Sequence, residues 1–580
     1  MILKYLDRKS WAMVALCAVF ILIQVFFDLQ IPSYMNDMTM ALQTGSDLGA
    51  VSDYGLKMAL CAFASLAAAI GTVYMAAKVG STLGRNLRLK LFDKIKTFTP
   101  QDTVKFSSAS LITRTTNDVV QVQTFAAMAL SIIIKAPIMA IWALSRISGG
   151  SWEWTAAATA GLLAIATSVG YILWITRPYY KRIPPLTDDI NRHTKDHVSS
   201  VRVVRAYNAE EFQEDSFKST SERLRDNDLY IWKRTALLPP ISSGVSDFLT
   251  LAIYWIGTLL IAETYGIGER QQLFSDMIVF SSYGLQVLMA FILVSHIIQE
   301  SPRALVSSKR VQEVLSHEPA IDDGVRKDGD GSTGKVEFRD VGFEYPGTRE
   351  KALDGVSFIA EKGQTVAIVG PTGCGRTTLV SLIPRLYEAS SGQVLVDGVD
   401  VREYERRSLG AKLGYVPQSS VTFAGTIRSN VAFGDMAKKA TDEDVMEALE
   451  TAQAAEFVND LDEGVDTAVQ QGGRNLSGGQ RQRLSIARAI CRKPEIFVLD
   501  DSFSALDFKT DKAVREALKK NAAGSTFIIV AQRIGTIMDA DLIVVLDEGK
   551  VVGRGKHSEL MRTCDLYREM AESQMPEELL

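Results

Sequence analysis

The sequence predicts a multi-domain chain: an all-α, six-helix transmembrane domain followed by an α/β domain built on a phosphate-binding (P-loop) motif. Three observations carry this. The chain has 580 residues, too many for a single hydrophobic core. Hydrophobic residues make up 47% of it, but the long apolar runs crowd into the first half. The second half alternates short strand-like runs with helical ones, as α/β architecture does.

A bilayer-spanning helix needs about 20 mostly apolar residues. Six runs qualify, at residues 11–33, 54–79, 122–144, 154–175, 240–262 and 277–298. The first follows Lys4, Arg8 and Lys9 and so resembles a signal peptide. It is too long for one, lacks an A-x-A-like cleavage site and precedes five similar runs, so it reads as a retained helix.

Lysine and arginine set the orientation. The segment Asn36–Asp53 has neither, whereas 85–114 carries Arg85, Arg88, Lys90, Lys94, Lys96, Lys105 and Arg114, and 177–234 is again rich. The N-terminus and the connections after spans two and four therefore read as cytoplasmic, in a multi-pass protein of the cell membrane. Leu87, Leu91 and Ile95 recur at helical spacing, and Val198, Val201 and Val204 sit in a similar stretch. The spans are expected to continue as helices beyond the bilayer. Lys135 and Asp247 lie inside spans, where charge is expensive. They are candidates for a substrate path, or for packing against a neighbouring helix or water-filled cavity.

The transmembrane domain is thus placed at 1–317, a linker at 318–335 and the α/β domain at 336–573. The linker's Gly, Asp, Ser and Thr content cannot build a core. The formal net charge of −5 gives no reason to expect a nucleic-acid partner. The five cysteines have irregular spacing and no CxxC pair, so neither a zinc site nor a disulfide framework is supported. They read as small buried hydrophobes.

Three motifs carry chemistry. Gly370-Pro371-Thr372-Gly373-Cys374-Gly375-Arg376-Thr377-Thr378 follows an apolar strand and opens a helix-like run. In that context glycines let backbone N–H groups close around phosphate, helped by the helix N-terminus. Thr377 stands where a hydroxyl meets Mg²⁺. Arg376 stands where the motif demands Lys; it keeps the charge, but its planar, longer head cannot occupy the same point. Next, Glu495–Leu499 reads as a buried strand presenting Asp500, a carboxylate that can hold Mg²⁺ or simply cap the strand. Last, Leu476-Ser477-Gly478-Gly479-Gln480 precedes a helix and forms a second anion-binding nest.

In this order the pieces resemble the ATP-binding-cassette (ABC) family. Tyr345 matches its adenine-stacking aromatic, Gly370–Thr378 its Walker A loop and Gln418 its Q-loop glutamine. LSGGQ is its signature, Asp500 ends its Walker B strand, and Ser504–Asp507 resembles its D-loop. FDLQIPSYM, FSSASLITRTTNDV and VSSVRVVRAYNAEE are similar to its exporter-type (type IV) membrane domain. The resemblance implies ATP with Mg²⁺, held by Thr377, Gln418 and Asp500. It implies coupling helices near Phe106–Ile112 and Tyr207–Phe217. It also implies a second half-transporter chain, because each ATP lies between the Walker loops of one cassette and the signature of another.

Hydrolytic members of the family place Glu after the Walker B Asp and His at the switch. Here these are Asp501 and Gln532. Together with Arg376, they put three departures in one site while the signature stays intact. This resembles the degenerate subunit of heterodimeric exporters, which move hydrophobic or amphipathic, multidrug-like cargo across the bilayer. A homodimeric exporter, an exporter-fold importer of siderophore type and a non-transporting ATP-binding protein remain as alternatives.

Overall fold

A computed structural model describes residues 2–45, 48–147, 152–331, 333–348, 350–434 and 440–574. It divides into two compact units. One combines Met1–Lys96 with Ser108–His317; the other combines Thr97–Ser107 with Glu318–Leu580.

The first unit is helical. Its elements are α1 (Arg8–Gln43), α2 (Leu48–Ile95), then, after the short α3 (Pro100–Phe106), α4 (Ser108–Thr113) and α5 (Val119–Ile147). They continue as α6 (Trp152–Tyr180), α7 (Ile183–Ala206), α8 (Glu210–Thr235), α9 (Leu238–Glu263) and α10 (Ile267–Ser316). Among the described residues, six helical runs are long and apolar enough to cross a membrane, and each predicted span falls inside one. The helices outrun the spans. Leu87 and Leu91 on the extension of α2 are fully buried. Within the expected external segment Asn36–Asp53, α1 runs to Gln43 and α2 begins at Leu48; residues 46 and 47 lie outside the described ones.

The intramembrane charge Lys135 has a partner that the hydropathy pattern hides. Asp28 of α1 lies 3.7 Å from the Lys135 ammonium of α5. Ser65 of α2 donates its hydroxyl to the same carboxylate. From α10, Tyr283 donates to the Leu29 carbonyl at 3.1 Å and Gln286 to the Asp28 carbonyl at 3.5 Å. Four helices thus meet on one polar knot. Removing one member leaves a desolvated charge, whereas removing both does not. Lys135→Met is expected to destabilise the protein by about 1–3 kcal/mol, and adding Asp28→Asn to restore part of that. Thermal melts of the single and double variants in detergent check it; strictly additive losses would contradict it.

The second unit holds the strands. β1 (Val336–Glu344), β2 (Lys351–Ala360), β4 (Ser391–Val396) and β5 (Val399–Asp400) form an antiparallel sheet in the order β2-β1-β4-β5. The six-stranded sheet runs β12-β11-β3-β10-β9-β6. Its members are β3 (Thr365–Val369), β6 (Leu413–Val416), β9 (Ile496–Asp500), β10 (Thr526–Val530), β11 (Leu542–Asp547) and β12 (Lys550–Gly555). All its pairings are parallel except β11 with β12. A small ribbon joins β7 (Gly425–Thr426) to β8 (Ala468–Val469). Every residue of β9 and β10 is buried, as expected of parallel strands covered on both faces. Because β3, β10 and β9 are neighbours, their carboxyl ends bring Gly370, Ala531 and Asp500 to one edge. That is where open α/β sheets bind ligands.

The backbone of the linker segment 318–335 is strapped to the sheet unit. Val325 and Arg326 N–H both donate to the Glu403 carbonyl, at 3.0 and 2.9 Å, and Ile321 is buried. Composition reports side-chain burial and misses backbone pairing. The region expected to hold the first coupling helix, Phe106–Ile112, takes in the end of α3 and most of α4. Thr99 caps α3 in a capping box with Asp102, and Pro100 takes the first turn, which starts the helix there. Ser107, at φ 53°, ends it. This segment belongs to the strand-bearing unit: the Arg406 guanidinium donates to the Thr97 carbonyl at 3.0 Å, and Ala320 N–H to the Asp102 carboxylate at 3.2 Å. At the second expected coupling region, Tyr207 caps the end of α7, and Phe212 and Phe217 lie on α8.

Candidate nucleotide site

Glycine makes the phosphate loop possible. Gly373 and Gly375 have φ of 88° and 100°, and a Cβ on Gly375 would stand 2.6 Å from the Ala352 carbonyl. With Pro371, Thr372 and the buried Cys374, they carry the chain from β3 into the helix Arg376–Ser381. Tyr345 donates to, or accepts from, the Thr378 hydroxyl at 2.9 Å. Its ring packs edge-on against Phe343 and Tyr387 and remains 36% exposed, which leaves a face for a base to stack on.

Thr377 donates its hydroxyl to Asp500 Oδ1 at 3.1 Å. The other oxygen, Oδ2, is buried and has no hydrogen-bond partner among the described residues. Burial, reinforced by the Asp501 charge, pushes the Asp500 carboxyl up to about 6 against the pull of Thr377 and Arg376. An unpartnered carboxylate oxygen beside a threonine hydroxyl fits a hard oxygen-seeking cation. Mg²⁺ held by Thr377 and Asp500 would neutralise phosphate charge there.

The sign of the pH dependence follows. Asp500 gains a proton as pH falls through about 6, and a protonated carboxyl cannot ligate. Between its ordinary value and about 6 the folded chain binds the extra proton, so stability without metal rises as pH falls while metal affinity drops. Mg²⁺-dependent binding of a fluorescent ATP analogue is expected to weaken up to about tenfold per pH unit below 6. Asp500→Asn should be weak at every pH; a flat wild-type profile from pH 5 to 7.5 would contradict the assignment.

The three departures converge. Arg376 Nη1 donates to the Ala531 carbonyl at 3.0 Å, beside the switch position. Asp501 is left-handed at φ 49°, a conformation Asp tolerates better than most residues. Its Oδ2 accepts a hydrogen bond from Gln532 Nε2 at 2.9 Å. The residue at the base position is thus hydrogen-bonded to the residue at the switch position. Burial pushes the Asp501 carboxyl up, opposed by Arg376, Ser504 and Gln418.

The signature is built differently. Ser477 caps the helix Gly478–Cys491 in a capping box with Gln480: Gln480 N–H donates to Ser477 Oγ at 3.2 Å, and Ser477 N–H to Gln480 Oε1 at 2.8 Å. Ser477 and Gly478 are exposed, and Gly479 lies close to the Ala505 carbonyl. Motif reading overlooked the residues tying these parts together. Gln482 donates to the Asp501 carbonyl at 3.2 Å and accepts from Ala505 N–H at 3.0 Å. Arg533 donates to the Leu506 and Ser504 carbonyls, and Gln574 bridges the Gln532 carbonyl and Ile534 N–H. Asp507 caps the helix Phe508–Asn521. Of these links, Asp507 lies in the D-loop-like segment and Gln482 one turn into the signature helix, within reach of a sequence signal; the others come from distant parts of the chain.

Comparison with known proteins agrees with this geometry. The ABC transporter transmembrane region matches residues 14–291, and the ABC transporter domain matches 353–504. The chain belongs to the ABC transporters. An uncharacterized ABC transporter ATP-binding protein of Mycobacterium tuberculosis is 39% identical over 87% of this chain and 86% of its own. The ATP-dependent lipid A-core flippase of Pseudomonas aeruginosa is 31% identical over 89% and 84%. The fold matches the structure of a bacterial Atm1-family ABC exporter with ATP bound. That match has a TM-score of 0.85 at 24% identity and covers 98% of this chain and all of that one. The chain is therefore an exporter-fold ABC transporter, a multi-pass membrane protein with an ATP-binding domain.

Proposed function

We propose that this chain is the ATP-holding, signature-donating member of a heterodimeric exporter. The hydrogen bond between Gln532 and the Asp501 carboxylate carries the reading. A general base must reach its water at about 2.6–3.2 Å, and a side chain one methylene short, engaged by an amide, is poorly placed to do so. Gln532 has no imidazole for the γ-phosphate, and Arg376 is turned to a backbone carbonyl. Tyr345, the phosphate loop, Thr377 and Asp500 retain what ATP binding with Mg²⁺ needs. Ser477–Gln480 would complete the partner's competent site.

Binding of ATP favours closed cassettes, and closure turns the membrane domain outward through the coupling segments; such a ligand acts only through its differential affinity for the two states. The N-terminus and cassette are cytoplasmic on the distribution of Lys and Arg. Apolar spans and lipid-transporting relatives favour an amphipathic cargo. Affinity purification of the tagged chain from its own membranes tests the pairing. A second half-transporter with Glu and His at the positions of Asp501 and Gln532 is expected; recovery of this chain alone would contradict it.

A further inference from the structure

We propose that the groove between α6 and α9 binds an anionic phospholipid of the cytoplasmic leaflet; this rests on the cytoplasmic placement of the α8–α9 junction in the reading above. The groove encloses about 470 Å³. Tyr171, Ile172 and Ile175 of α6 and Ile241 of α9 form its walls, while Lys233 and Arg234 close the end where α8 finishes. No carboxylate lines it among the described residues.

The cations are held without counter-charge. The Tyr179 and Tyr230 rings stack with centroids 3.7 Å apart. The Arg234 guanidinium lies 3.5 Å from the Tyr230 centroid on this stack, and Arg182 lies 5.0 Å from that of Tyr179. Among the described residues Arg182, Lys233 and Arg234 make no ion pair with Asp or Glu. Stacking fixes the Arg234 head, whose Nη1 donates to the Tyr230 carbonyl at 3.4 Å; its remaining in-plane donors can turn to a phosphate.

Depth decides the class of ligand. Trp174 and Trp232 are exposed, at 73% and 68%, and mark the interfacial belt where aromatic residues gather. Ile241 falls inside the predicted span 240–262 and Arg234 before it, at most roughly 10 Å apart along the chain at 1.5 Å per helical residue. An apolar slot of acyl-chain depth capped by basic residues on the cytoplasmic side is the arrangement that takes an anionic lipid. A free phosphate would use the basic end alone.

The test uses the full-length protein in nanodiscs of phosphatidylcholine with or without phosphatidylglycerol, and native mass spectrometry of the lipids retained. Wild type is expected to keep phosphatidylglycerol over phosphatidylcholine, and K233E/R234E to lose roughly ten- to thirtyfold of that preference, as two interfacial charges would give. The charge-preserving K233R/R234K should keep it, which separates charge from folding. Equal retention by K233E/R234E overturns the proposal, as it would if a second subunit covers the groove. Displacement of the lipid by glycerol 3-phosphate alone also overturns it, in favour of a headgroup-only site. Orientation is read separately. An impermeant maleimide should label Lys233→Cys in inverted vesicles only, and labelling in right-side-out vesicles overturns the leaflet assignment whatever the lipids show.

Discussion

Purified alone, the triple variant Arg376→Lys, Asp501→Glu, Gln532→His is expected to hydrolyse ATP at least about 10²-fold faster than the natural chain. A positioned general base contributes about 10²–10⁴-fold, and a contact made only in the transition state about 10²–10³-fold. The two act as a unit, so the gains do not multiply and single repairs should recover little. Asp501→Glu alone leaves Gln532 able to hydrogen-bond the carboxylate, as it does at 2.9 Å here. Gln532→His alone leaves a base one methylene short. In a dimer of the repaired chain each phosphate loop would face an intact Ser477–Gln480, so both sites would be complete. Phosphate release at saturating Mg²⁺-ATP checks it. A repaired chain that binds nucleotide yet turns over as slowly as the natural one would show that these residues are not limiting.

The opposite result is expected from the signature. Gly478→Asp in this chain, assembled with its partner, should lower hydrolysis by at least about 10²-fold, since it sets a carboxylate where helix N–H groups would meet phosphate. Gly478 is exposed at the first position of a helix capped by Ser477, so the cap and the fold should survive. Gln532→Ala in the same assembly should change the rate by less than about threefold, because it removes a group that takes no part in the fast site. Comparable losses from both variants would mean that the two composite sites contribute equally.

Local patterns were legible in the sequence, and contacts across the fold were not. Apolar runs of bilayer length marked each span, and the ordered motifs marked Gly370–Thr378 and Asp500, which the sheet brings to one edge, and Ser477–Gln480, which starts a separate helix. Asp28 escaped because one carboxylate barely lowers the hydropathy of the run around it; its role depends on Lys135 and Ser65, which come from other helices. The helix start formed by Thr99, Pro100 and Asp102, just before the expected coupling region, was not read from the sequence. The strap at 318–335 is held by backbone bonds to Glu403, to which composition is blind. Departures at three motif positions could be read one by one. That Arg376 points to Ala531, and that Gln532 and Asp501 bond each other, required coordinates.

The steady-state turnover of the natural chain, purified without any partner and shown to bind ATP, tests the unequal pair most directly. Hydrolysis at least about 10²-fold below that of the co-purified two-chain assembly is expected. Equal turnover per chain by the protein alone would contradict it and make this chain an ordinary homodimeric pump.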